Sequence, residues 1–272
     1  MVIGIPNYQN LDRTGEAQAA AERMEARARE PASEAMFQEL VVPLLGSGTT
    51  RILEVGCGTG ALARRIAKAA PSSTILATDK SEGMLDVARE LAHEVGAIRF
   101  ESWDVTDEAA WPFDATPFDL ILSSVMVPYL DNAQTEALLL RLSRRLSRGG
   151  VLAFVEQDLL TDSLNFPSFE LFRRVEAKDE RALKRTLALG LRPSLRNAGL
   201  TLLPRKSFLW TDDAYGPYAR EMLLRTADDA RKLGRITDAE HATWAATLDA
   251  LATTGDFYYG LVYHRIAATR AP

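Results

Sequence analysis

Between Arg51 and Ala67 the chain reads Arg-Ile-Leu-Glu-Val, then Gly-Cys-Gly-Thr-Gly, then Ala-Leu-Ala-Arg-Arg-Ile-Ala. A short apolar run, a turn with glycines at 56, 58 and 60, and a helix-forming stretch follow one another without a spacer. This is a strand feeding a helix through a turn whose backbone can pass close to a ligand, because glycine carries no Cβ. The helix N-terminus behind the turn offers unpaired N–H groups and the positive end of the helix dipole. Such a junction belongs at the first strand of a doubly wound sheet. Further strand-like runs near 74–79, 97–102, 118–123 and 150–156 alternate with helical stretches, the pattern of parallel strands joined by right-handed crossovers.

The glycines alone admit two cofactors. Gly56-x-Gly58-x-x-Ala61 satisfies the relaxed dinucleotide fingerprint. Glu54, two residues before the first glycine, suits a cationic ligand end such as an amino-acid ammonium and repels a pyrophosphate. Asp79 closes the next strand and sets a carboxylate against ribose hydroxyls, which NAD and S-adenosylmethionine (SAM) both require. Taken together, Glu54-Val-Gly-Cys-Gly-Thr-Gly60 resembles motif I of the class I SAM-dependent methyltransferases. Asp79 matches their ribose-binding acid and Met84 the apolar residue packed on adenine. Asp104, in Ser102-Trp-Asp-Val105, matches the acid that receives the adenine amino group, with Val105 beside it. Ser123 closes Phe118–Ser123, which matches the fourth strand facing the methyl donor. Leu146–Leu152 matches the turn before strand five. The resemblance covers about residues 48–160. It implies an α/β, Rossmann-like, doubly wound sheet of seven strands with the last one antiparallel, a helical cap, and SAM as the cofactor of a methyltransferase.

The chain of 272 residues is long enough to bury a sizeable core as one domain. Residues 11–45 predict helices broken near Pro31 that fold over the cofactor mouth, 48–160 form the SAM-binding core, and 161–272 supply a substrate cap (about 161–200 and 211–256) with the C-terminal strands. In that last part the sequence predicts a helix over about 168–189, a strand over 201–210, helices near 213–232 and 237–252, and a final strand at 257–266. The net charge of −5 argues against a nucleic-acid partner. Arg141, Arg144, Arg145 and Arg148 read as the outer face of a helix. No run of 18 apolar residues predicts a membrane span, no signal peptide is evident, and the single Cys57 fits a reducing, cytoplasmic setting. Cys57 reads as a small filler of the turn. The expected partner is a small-molecule substrate, with room for a homo-oligomer.

Candidates for the chemistry lie in the cap. Phe166, Phe169, Phe172, Trp210, Tyr215, Tyr218 and Trp244 can line an apolar pocket or form the core between cap and sheet. Trp210 ends the predicted sixth strand at the cofactor-facing edge, where a π-face can stabilise a positive charge. Glu170, set between Phe169 and Leu171-Phe172, is either a base raised in pKa by an apolar pocket or an acid answering the helix dipole. Arg174, Lys178, Arg181 and Arg185 share a helical face that can hold a diphosphate or stay solvated. Of the three histidines, His241 alone starts a helix of the cap and is a candidate. Phe169, Arg174, Tyr215 and His241 are the expected substrate contacts. More narrowly, the chain is similar to the bacterial geranyl diphosphate C6-methyltransferases, with Glu170 and Trp210 at matching positions. That similarity implies methylation of a prenyl alkene carbon, a carbocation facing Trp210, proton removal by Glu170, and Mg2+ on the substrate diphosphate. No Asp-rich metal motif is present, so the metal ligands are unknown. The alternatives are O- or N-methylation of a bacterial metabolite, an NAD oxidoreductase, against which Glu54 and Asp104 argue, and a SAM-binding subunit without activity.

Overall fold

The computed structural model describes residue 8 and residues 10–46, 48–95, 97–107, 111–177 and 187–271, with 187–189 by backbone only. Its centre is an eight-stranded sheet. The strands are β1 (Arg51–Val55), β2 (Thr74–Asp79), β3 (Ile98–Ser102), β4 (Phe118–Ser124), β5 (Leu146–Leu164), β6 (Thr201–Leu202), β7 (Lys206–Asp212) and β8 (Tyr259–Thr269). Their order is β3-β2-β1-β4-β5-β8-β6, with β7 also paired to β8. The strands from β3 to β5 run parallel, and β8 is antiparallel to β5. Where the sequence predicts one strand over 201–210, the structure has two, both paired to β8. Pro204, between them, has no N–H to give a ladder.

Alternate residues of the central strands enter different layers. Ile52, Leu120, Leu122, Ala153 and Val155 face one core. Leu53, Ile121, Leu152 and Phe154 face the other. The second layer is closed by α6 (Asn132–Ser143), through Leu138, Leu139 and Leu142, and by α8 (Leu187–Asn197), through Leu191 and Leu195. The first layer takes α3 (Pro31–Leu40), α4 (Ala61–Ala69), α9 (Pro217–Lys232) and α10 (Asp238–Thr254). The remaining helices are α1 (Leu11–Thr14), α2 (Ala17–Arg29), α5 (Glu82–Leu91) and α7 (Phe169–Val175). Burial of both faces explains why these strands read as nearly continuous apolar runs. β5 outruns the expected 150–156. Its far half, from Asp158, is polar and bulged, and it is held as a strand by pairing to β8 through Ser163 and Leu164. The expected helix over 168–189 ends at Val175, and residues 178–186 lie outside the described ones.

The N-terminal helices are clasped to the core by specific polar contacts. Asp12 accepts from Ser81 Oγ at 2.6 Å and from the N–H groups of Glu82 and Gly83 at the start of α5. Arg64 of α4 forms a two-pronged pair with Glu25 at 2.8 Å, and Arg65 donates to the carbonyls of Ala28 and Ser33. Arg265 of β8 donates to Leu40 O. These contacts fix α2 and α3 across the C-terminal ends of β1 and β5. Among the described residues no helix is long and apolar enough to cross a membrane.

Candidate functional site

A cavity of about 440 Å3 lies where the C-terminal ends of the parallel strands meet α2, α3 and α9. One end of it is the glycine turn. Gly56 and Gly58 have φ of +72° and +54°, a region that costs a residue with a Cβ on the order of 1–2 kcal/mol. A Cβ on Gly56 would also stand 2.6 Å from Met126 Cγ, and one on Gly58 2.6 Å from Met24 Sδ. Gly60, with φ +69°, leads into α4. It does not line the cavity, and its missing Cβ leaves room for the Phe100 ring.

Three acids stand at this end of the cavity. Glu54 is 2% exposed. It takes a backbone hydrogen bond from Ala63, yet its Oε2 is buried without any partner. Burial, with Asp79 nearby, pushes its carboxyl up to about 8. Asp79 Oδ2 accepts from Gly58 N–H at 2.8 Å and Oδ1 from Ser81 N–H at 3.0 Å. Burial raises its pKa, against the backbone N–H groups of Ser81, Gly58 and Lys80. Asp104 is exposed at the rim; the little burial it has pushes its pKa up, but the two bonds from Thr106 and the charge of Lys80 hold it below the usual carboxylate value. Met84 is buried against Leu11, Ala20 and Ala21, and Val105 lies beside Asp104 on the cavity wall. Cys57 is buried, and its thiol is pushed well up by burial and by Glu54, so no thiolate forms there near neutral pH.

Ser123 does not line the cavity. It is buried inside β4, opposite Val55, and the wall is made instead by Ser124, Val125 and Met126. Strand alternation turns position 123 to the other layer, and the expected residue is therefore one place early. Val125 carries φ +54°, unusual for a β-branched side chain and characteristic of a residue forced into place beside a site.

The cap candidates fare differently. Glu170 is on the solvent side of α7, and Phe169 before it is 70% exposed. Arg174 pairs with Glu240 at 2.6 Å, while Lys178, Arg181 and Arg185 lie outside the described residues. Tyr215 packs on Phe257 and His241 on Asp228, both away from the cavity. Trp210 is 0% exposed; it stands edge-on to Tyr218 and Tyr259 and donates Nε1–H to Ser33 Oγ at 3.2 Å. Tyr218, Tyr259 and Ser33 line the cavity, and Trp210 lies one layer behind them. Glu170→Gln is therefore expected to leave catalytic turnover within about twofold of wild type in steady-state assays, since an exposed side chain remote from the cavity touches nothing that reacts.

At the far end of the cavity stands Tyr218, one of the aromatic residues the sequence offered as pocket lining, but sequence reasoning missed its neighbours there, Gln157, Asp162, Met222 and Tyr259, together with Arg27 from α2. Gln157 Nε2 donates to Tyr263 Oη at 2.6 Å, and Tyr259 Oη to Asp162 at 3.0 Å. The one local signal was the alternation Val155-x-Gln157-x-Leu159, a polar residue in the buried register of a strand. Among the described residues no cluster of His, Cys, Asp and Glu could hold a metal ion.

The glycine turn, the unpartnered oxygen of Glu54 and the strand-end Asp79 fit SAM, whose ammonium and ribose need an acceptor at each place. Residues 52–150 match the family model described as Methyltransferase domain. This stretch is a SAM-dependent methyltransferase domain. A trans-aconitate 2-methyltransferase of Variovorax paradoxus is 33% identical over 142 residues, 52% of this chain and 50% of the relative. A malonyl-[acyl-carrier protein] O-methyltransferase of Bacillus cytotoxicus is 31% identical over 143 residues, 52% and 46%. The matched stretch thus spans about half the length of these curated relatives. Among solved structures, the Haemonchus contortus phosphoethanolamine N-methyltransferase 2 in complex with SAM superposes with a TM-score of 0.53 at 18% identity, over 98% of this chain and 60% of that one. A Bacillus halodurans protein gives 0.52 at 17% identity, over 89% and 99%. At such identities the likeness is one of fold, and it extends through the C-terminal half beyond the methyltransferase domain.

Proposed function

We propose that the chain is a SAM-dependent methyltransferase acting on an oxygen of a small organic substrate, held at the far end of the cavity between α2 and α9. The observation that carries this reading is the continuity of the cavity. One space runs from the glycine turn to a second, chemically different wall formed by Arg27, Gln157, Tyr218 and Tyr259. In this reading Glu54 accepts the cofactor's ammonium, Asp79 its ribose hydroxyls and Asp104 its adenine amino group, while Met84 packs on the ring beside Val105. Bound SAM supplies an electrophilic methyl group. The chain's own task is then to align the acceptor and keep water out. An ionised oxygen needs no base. For a neutral hydroxyl, the Tyr259–Asp162 pair in the same cavity offers a proton path, with the Tyr259 oxygen between acceptor and carboxylate.

The malonyl relative is by name an O-methyltransferase, which favours oxygen. The narrower reading, C6-methylation of geranyl diphosphate, needs a base and a cation-facing ring at Glu170 and Trp210. The first is on the surface and the second is behind the cavity wall, so the oxygen acceptor is the better supported. Incubation with methyl-labelled SAM and a panel of organic acids, phenols, amines and prenyl diphosphates, with and without a chelator, tests the proposal. Label on an oxygen, unaffected by chelation, is the expected result. Label on a prenyl carbon, or no release of S-adenosylhomocysteine with any acceptor, would overturn it. Asp79→Ala should weaken SAM binding by about 1.5–3 kcal/mol, the range for charge-assisted hydrogen bonds, as read by calorimetry.

A further inference from the structure

Arg27 is an unusual residue for the wall of an organic-substrate cavity. It comes from α2, and its guanidinium lies among phenols: it is hydrogen-bonded to Tyr218, with Tyr263 and Tyr8 near by. Burial would lower its pKa, but these phenols hold the guanidinium charged. Among the described residues no carboxylate forms an ion pair with it. Three other arginines of this region have counter-charges, Arg64 in Glu25, Arg65 in Glu34 and Arg225 in Glu221, whereas Arg265 of β8 is tied to the carbonyl of Leu40. The acids of this part of the cavity are also engaged, Asp162 by Tyr259, Glu221 by Arg225, and Glu176 by partners of its own. A half-buried charge without a counter-charge among the described residues is costly, and a guanidinium on a cavity wall is a ready fork for a planar oxyanion.

The surroundings sharpen the chemistry. Gln157 donates to Tyr263 Oη at 2.6 Å and reaches Tyr218 Oη at 3.4 Å. Tyr218 is thus linked to Gln157, Arg27 and Tyr263. Arg27 presents its N–H donors and a single positive charge beside these phenols. That suits one carboxylate, with two coplanar oxygens and one negative charge, better than a doubly charged phosphate.

Position separates Arg27 from the cofactor end. Met24, three residues earlier on α2, has its sulfur over Gly58, whereas Arg27 is grouped with Gln157, Tyr218 and Tyr263, from β5, α9 and β8. We propose that Arg27, with Tyr218, anchors a carboxylate of the substrate, and that this chain's acceptors are small organic acids. The assignment rests on the reading of the cavity as a SAM-dependent methyltransferase site. Arg23, one turn back along α2, also lines the cavity and has a buried Nε without a partner. It is the control.

The test is a binding measurement that needs no turnover. The full chain, saturated with S-adenosylhomocysteine, is titrated by calorimetry with 4-hydroxybenzoate, hexanoate, succinate and glutarate, and with the primary amide of each. At least one acid is expected to bind tenfold or more tightly than its amide. Arg27→Gln should abolish that preference while S-adenosylhomocysteine affinity stays within about twofold, and Arg27→Lys should keep part of it. Thermal melts with the cofactor product establish that each variant is folded. Retained acid preference in Arg27→Gln, or no acid preferred over its amide in wild type, overturns the proposal. A tenfold loss of S-adenosylhomocysteine affinity in Arg27→Gln, but not in Arg23→Gln, also overturns it, by assigning Arg27 to the cofactor's own carboxylate. Methyl transfer to oxygen without any acid preference would sink this inference alone. Acid preference without methyl transfer would sink only the wider functional reading.

Discussion

Glu54→Gln is expected to make the cofactor-free protein more stable at pH 8 and to remove most of its affinity for SAM. The carboxyl is 2% exposed and one of its oxygens has no partner. Its pKa rises from an unfolded value of 4.5 to about 8 in the folded chain. The folded state therefore keeps a proton that the unfolded state has released. Stability carried by that proton is fully present below pH 4.5 and is lost progressively as pH rises towards 8. At about 1.4 kcal/mol per pH unit, the loss amounts to several kcal/mol at most. Glutamine has no proton to lose and escapes the penalty. The melting temperature of wild type, without cofactor, should thus fall relative to Glu54→Gln between pH 5 and pH 8. The cost of the substitution appears on binding. A charge-assisted bond to an ammonium contributes about 1.5–3 kcal/mol, which is roughly 10- to 150-fold in affinity. Wild-type affinity should also climb from pH 5 to pH 7, as ionising Glu54 becomes cheaper. Calorimetric affinities of the variant within threefold of wild type, with no pH trend in either, would remove Glu54 from the cofactor site.

Trp210→Ala should destabilise the fold by about 3–5 kcal/mol, the usual cost of emptying a large aromatic site in a core, and lower the melting temperature by about 10 °C in a chain of this size. The ring is fully buried, packs edge-on against two tyrosines 5.5 and 6.3 Å away, and ties the sheet to α3 through Ser33. Trp210→Phe keeps most of that packing and loses the bond to Ser33, a smaller loss of about 1–2 kcal/mol. Neither variant should change which acceptors are methylated. Denaturant unfolding and acceptor profiles on the same preparations decide the matter. A Trp210→Ala protein as stable as wild type but with a widened acceptor range would return Trp210 to the cavity wall.

These two residues mark how far the sequence could be read. Glu54 belongs to a local unit of strand, turn and helix, so its place beside the glycine turn follows from a spacing of two residues. Asp79 ends β2 and Asp104 lies two residues beyond the end of β3, and both were legible for the same reason. Ser123 shows the limit of that logic: along a strand the register alternates, and one residue separates a side chain in the cavity from one buried opposite. Glu170 looked embedded because its sequence neighbours are apolar, but a helix presents neighbours to different faces. Only packing decides which face is inner, and here Leu171 and Val175 took that side.

The amino-acid sequence by itself determined the cofactor half of this protein: the glycine turn, the parallel strands on either side of it, and the acids at their ends. Each of these depends on contacts between residues near in the chain or on strands of regular alternation. The tertiary structure decided the far end of the cavity. Arg27, Gln157, Tyr218 and Tyr259 come from the second helix, the fifth strand, a late helix and the last strand, and beyond the alternation around Gln157 and the aromatic character of Tyr218 no local pattern groups them. They meet because the Arg64–Glu25 pair clasps α2 to α4, Asp12 clasps α1 to the start of α5, and β8 inserts antiparallel beside β5. A charge such as that of Arg27, without a counter-charge among the described residues, is a property of a surrounding shell, and that shell exists only once distant segments have packed around it.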